Sequence, residues 1–175
     1  MGCRSRALVC LLAAPVMLLG APANAAEFVA RMVGFQEVPS AILSAGTGTL
    51  VLDLDKQART VTFKETFSGL SAPVTQSHIH FGKIHVAGGV TVFLCTNLGN
   101  GPAGTQACPP GGGTISGTIT AVNVLPLAAQ GLPAADFDAL VSLLETHTAY
   151  VNVHTSTFPT GEIRGQIRRS EDDDR

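Results

Sequence analysis

The chain has no tryptophan, a single tyrosine and few charges, with Asp, Glu, Lys and Arg making up only 14% of its 175 residues. Its 11 Lys and Arg are scattered, so no basic patch exists to neutralise phosphates, which excludes nucleic acid as a partner class. Serine and threonine are plentiful, yet none stands in a G-x-S-x-G elbow or a comparable nucleophile setting, which points away from an enzyme. Long apolar runs are also missing, except at the start. There Arg4 and Arg6 precede the run Ala7 to Leu19, and Ala23-Asn24-Ala25 forms an A-x-A cleavage pattern. This is the layout of a secretory signal peptide over 1–25. Its apolar stretch of about 13 residues falls short of the roughly 20 a membrane span needs, and Pro15 and Pro22 weaken an anchor further. We therefore expect an exported protein, periplasmic or extracellular, with no membrane span in its mature form.

Cleavage near Ala25 leaves about 150 residues, enough for one domain over 26–169 with its own core. It also leaves 9 basic residues against 13 acidic ones, a formal charge of −4. Three of those acids lie in the tail SEDDDR, 170–175, which reads as a solvated, disordered end. Of four cysteines, Cys3 and Cys10 leave with the signal peptide. Cys95 and Cys108 remain in an oxidising compartment, flanking the turn-rich segment TNLGNGPAGTQA. A disulfide closing that loop would contribute on the order of 3 kcal/mol in the chain-entropy model, and a metal-ligand role for the pair is the weaker alternative.

Short alternating runs between turn clusters predict an all-β, antiparallel Greek-key sandwich or barrel. Leu50, Leu52 and Leu54 alternate with Thr49, Val51 and Asp53, while Val61, Phe63, Glu65 and Phe67 alternate with Thr60, Thr62, Lys64 and Thr66. Further strands are expected at 27–34, 76–82, 90–95 and 114–122, followed by a closing hairpin over 149–167 that turns at Pro159-Thr160-Gly161. One segment changes period: Phe137, Leu140, Val141 and Leu144 recur at helical spacing, with Asp136 and Asp138 where a helix N-terminus favours anions. A short helix near 133–146 follows.

The chemistry gathers in two places. His78 and His80, one residue apart on a strand, put both imidazoles on one face, a common half of a metal site. The alternative is that both rings merely hydrogen-bond their neighbours. In the closing hairpin, Ala149, Val151, Val153, Ile163 and Ile167 form an apolar face, and Tyr150, Asn152, His154, Glu162, Arg164 and Gln166 form the other. A polar outer face is ordinary for a sandwich, but planar multi-donor side chains in such number are not. Glu162 and Arg164, two apart, can pair, with Asn152 or His154 joining across strands.

At these residues the chain resembles the CHRD domain, named for its repeats in the secreted antagonist chordin and found singly in exported bacterial proteins. The matching pieces are GFQEVPS (34–40), SAGTGTL (44–50), SHIHFG (77–82) leading to VTVFL (90–94), and YVNVHTSTFPTGEIRGQI (150–167). The resemblance implies an extracellular β-sandwich or barrel, immunoglobulin-like or superoxide-dismutase-like, with no established catalysis. It places Glu37, His78, His80, Asn152, His154, Glu162 and Arg164 at the family's signature positions. The segment GKIHVAGG, with its added His85, and the Cys95–Cys108 loop depart from the pattern.

Two functions compete. One is a noncatalytic exported module binding a protein, a glycan or a surface component. The other is a mononuclear metal-binding protein or a superoxide-dismutase-like metalloenzyme, with Cu or Zn on His78, His80 and His154, His85 as a weaker addition, and Arg164 steering an anion. Copper–zinc superoxide dismutase is somewhat similar in its paired strand histidines, but five histidines are too few for its binuclear centre.

Overall fold

A computed structural model describes residues 25–173; the expected signal peptide, apart from its last residue Ala25, lies outside the described residues. Nine strands form one antiparallel sheet: β1 (Ala25–Val33), β2 (Thr47–Asp55), β3 (Thr60–Ser68), β4 (Val74–Phe81), β5 (Gly89–Thr96), β6 (Gly113–Ile119), β7 (Ala149–Thr155), β8 (Ile163–Gln166) and β9 (Arg168–Arg169). The order is β5-β4-β7-β8-β1-β2-β3-β6, with β9 beside β1. Joining β4 to β7, β8 to β1 and β3 to β6 produces the expected crossovers. The sheet curls until its end strands β5 and β6 come close, so the barrel is nearly closed. Among the described residues no helix is long and apolar enough to cross a membrane.

Alternation explains the interior. Phe28, Ala30 and Met32 of β1, Leu50, Leu52 and Leu54 of β2, and Val61 and Phe67 of β3 are all buried, joined by Ile79, Val151, Val153 and Ile163 from the neighbouring strands. Helix α1 (Phe137–Glu145) adds Phe137, Leu140 and Leu144 to this core. Asp136 stands before it as its cap, accepting from the Ala139 N–H at 2.9 Å, which satisfies one of the donors a helix start leaves open. The Cys95–Cys108 disulfide is present. Beyond Arg169 the chain makes one helical turn, α2 (Ser170–Asp173), where the sequence suggests only a solvated tail.

One core position is not apolar. Alternation seats Glu65 among the buried residues of β3, fully enclosed, and Ser77 Oγ donates to its Oε1 at 2.7 Å. Its Oε2 has no partner. Burial raises this carboxyl to about 8, against the lowering effect of the Ser77 bond, so it is held as the neutral acid at pH 7.

Candidate metal centre

Pairing of β4, β7 and β8 sets the site. The register aligns His78 with Asn152 and Asn152 with Arg164, and His80 with Tyr150 and Tyr150 with Gln166. Their side chains share one face, opposite to Ile79, Val151 and Ile163. This is the polar face expected from the hairpin, but it is not solvent-facing. Every residue of β7 and β8 is buried on both sides. The covers are the 3-10 turn Gly34–Gln36 with Glu37 after it, the segment 82–88, and the turn 156–161.

His78, His80 and His154 form a compact trio, each offering a ligand nitrogen within 4.8 Å of the others. His80 Nδ1 lies 3.0 Å from the Gly88 carbonyl, and His154 Nδ1 lies 3.0 Å from the Pro159 carbonyl. A carbonyl only accepts, so each Nδ1 carries the proton and each Nε2 presents a lone pair. His78 Nδ1 faces His154 Nε2 at 3.2 Å. Two nitrogens bound to one tetrahedral zinc at about 2.0–2.1 Å would stand about 3.3 Å apart, so this separation suits two ligands of one ion. The Nε2 atoms of His78 and His80 are buried with no hydrogen-bond partner. Burial and the neighbouring histidines lower His78 to about 2; burial lowers His80 to about 4, against its Gly88 bond; burial also lowers His154. All three rings are therefore neutral near pH 7, the form that ligates metal.

Around the trio runs a polar shell. Tyr150 stacks on His80, ring centroids 4.6 Å apart and planes within 10°, and the Arg164 guanidinium lies 3.5 Å from the same phenol ring. Arg164 Nη2 donates to the carbonyls of Lys83 and Val86, both at 3.0 Å, which holds the 82–88 segment down. Gln166 Nε2 donates to the carbonyls of Gly82, His147 and Ala149. Asn152 Nδ2 donates to Glu37 Oε2 at 3.2 Å, while Glu37 Oε1, Asn152 Oδ1 and Arg164 Nη1 are left without partners. Burial raises Glu37 to about 7, opposed by the Asn152 bond and the Arg164 charge. Gly161, at φ 131°, makes this packing possible: a Cβ there would sit 2.5 Å from Asn152 Oδ1 and 2.7 Å from Glu37 Oε1.

Two expected partners do not join. Glu162 and Arg164 form no ion pair, because Glu162 lies in the bend before β8 and turns toward other loops. It accepts from Ser44 Oγ at 2.6 Å, Ser71 N and Oγ at 2.8 Å each, and Thr155 Oγ1 at 2.6 Å. His85 sits exposed in the 82–88 segment, outside the trio. The orienting groups that sequence reading missed are backbone carbonyls, of Gly88 and Pro159, which carry no side-chain signal. The GG and FPTG turns that supply them were the available clue.

A match to the family described as CHRD domain spans residues 28–167. The chain belongs to the CHRD domain family. Among curated proteins and solved structures, none matches. The CHRD match runs from β1 through the end of the closing hairpin, so the whole trio and its shell lie inside the CHRD domain.

Proposed function

We propose that this CHRD domain is an exported, noncatalytic module that holds one Zn or Cu ion on His78, His80 and His154. The observation that carries the reading is the convergence of one nitrogen from each ring within 4.8 Å, with His80 and His154 each turned by a backbone carbonyl so that Nε2 presents its lone pair and with the buried His80 Nε2 left without a partner. Burying a polar atom without a partner costs free energy, and an ion bridging the rings removes that cost. Each histidine is less than a tenth exposed, which suits a structural or carrier ion beneath loops rather than one open to substrate. Purified without a histidine tag, the protein should carry near-stoichiometric Zn or Cu by elemental analysis, and the His78→Ala/His80→Ala variant should carry none. Substoichiometric metal that the double substitution leaves unchanged would sink the reading.

The ion and its shell would also fix the loops that meet a partner. Phe35, Ile84 and Val86 are exposed by 67%, 48% and 51%, on the two segments that Glu37 and Arg164 tie down. Exposed apolar side chains on loops held at the barrel face suit a protein or extracellular surface component. Affinity capture from the exported fraction should recover a recurring partner with the wild type and lose it with Phe35→Ser/Ile84→Ser. Equal recovery with both proteins, or none with either, would count against this face.

A further inference from the structure

The barrel's seam holds a second site. Between the facing edges of β5 and β6 lies a cavity of about 300 Å³, at the small end of the range for ligand pockets. The disulfide-closed loop roofs it. Gln106, from that loop, donates its side-chain amide to the Leu94 carbonyl of β5 at 3.1 Å and the Ser116 carbonyl of β6 at 3.2 Å, so one side chain spans both edges. Its main-chain carbonyl accepts from the Thr96 N–H at 2.9 Å. Phe63 and Phe93 supply aromatic wall, and Thr118 and Asn123 supply a hydroxyl and an amide. None of the described lining residues is ionisable.

We infer that this seam binds a neutral saccharide unit. Uncharged walls favour an uncharged ligand, since a charge taken out of water with no counter-charge is costly. A sugar ring has an apolar C–H face that packs on phenyl rings and a rim of hydroxyls that pair with amides, hydroxyls and main-chain carbonyls. A purely apolar ligand would strand those polar groups. The unpaired strand edges could instead accept an extended peptide, but the cavity has the volume of a compact ring rather than a strand, and Gln106 already occupies the hydrogen-bonding line between the edges.

The test is amide chemical-shift mapping of the purified, untagged protein titrated with maltose and cellobiose, with glucuronic acid and glucosamine as charged controls. Neutral sugars should shift resonances at Leu94, Gln106 and Ser116–Thr118 with millimolar affinity, and Ser116→Trp, a substitution at an exposed position of the mouth, should weaken binding about tenfold or more. Gln106→Ala provides the same comparison should the tryptophan variant fail to fold. No seam shifts with either neutral sugar would overturn the assignment, as would shifts unaltered in both variants. Shifts along β5 and β6 produced only by an extended Thr/Val peptide would also overturn it and make the seam a strand acceptor.

Discussion

Two buried polar clusters sit at the two ends of the closing turn, and they differ in one respect. Glu162 is fully enclosed and is met by four donors from Ser44, Ser71 and Thr155. Burial alone would raise its carboxyl, but those hydrogen bonds outweigh it and hold the group below the usual glutamate value. It is a finished clasp, joining the 44 and 71 loops to the hairpin. The histidine face is equally buried but unfinished: His78 Nε2, His80 Nε2, Glu37 Oε1, Asn152 Oδ1 and Arg164 Nη1 all lack partners. Native interiors leave few such atoms, and their concentration at one place is what the proposed metal site draws on.

Substitution should separate the two clusters. The largest effect is expected from Glu162→Ala, which strands several buried donors; urea denaturation should show a loss of at least about 3 kcal/mol, with bound metal unchanged in the remaining folded protein. His78→Ala/His80→Ala is separated by metal content: metal is lost, and the metal-free protein also loses about 2 kcal/mol or more, because two buried rings leave cavities and uncover the Gly88 carbonyl and the His154 nitrogen. Chelation should lower the wild-type Tm and leave that of the double variant unmoved. Metal retained by the double histidine variant, or lost from folded Glu162→Ala, would erase the distinction between clasp and centre.

Acidity sharpens the contrast on a smaller scale. His80 and His78 have lowered values in the fold, so their contribution is complete above the ordinary 6.5 and is lost as pH falls, toward about 4 for His80 and toward about 2 for His78. Glu65 runs the other way. With an ordinary value of 4.5 raised to about 8, its contribution is complete below 4.5 and is lost as pH rises through 8. Glu65→Gln removes that titration, so the variant should gain on the wild type between pH 5 and pH 8 by on the order of 2 kcal/mol. A constant offset across that range would show that Glu65 ionises freely in the folded protein.

Much of this was legible in the primary structure. Alternation placed the strand cores of β2 and β3, helical spacing placed α1, and the H-x-H spacing put His78 and His80 on one face. The same alternation even set Glu65 among core residues, although nothing local says that a glutamate there will stay uncharged. What alternation cannot show is what lies over a face. Tyr150, Asn152 and Arg164 look like an outer row until the 34–40 and 82–88 segments fold across them. Nor does strand spacing apply to Glu162, which precedes β8 and is aimed by the turn instead of by the pleat. The carbonyls that orient His80 and His154 come from loops whose paths depend on packing far from them in sequence.

The solitary tyrosine gives this arrangement an optical consequence. With no tryptophan in the chain, Tyr150 is its dominant ultraviolet emitter, and it is pressed between an imidazole of the trio on the β4 side and a guanidinium on the β8 side. The molecule thus carries one dominant native fluorophore stacked on the His80 ring, and under the proposed function its emission would report metal occupancy without any label.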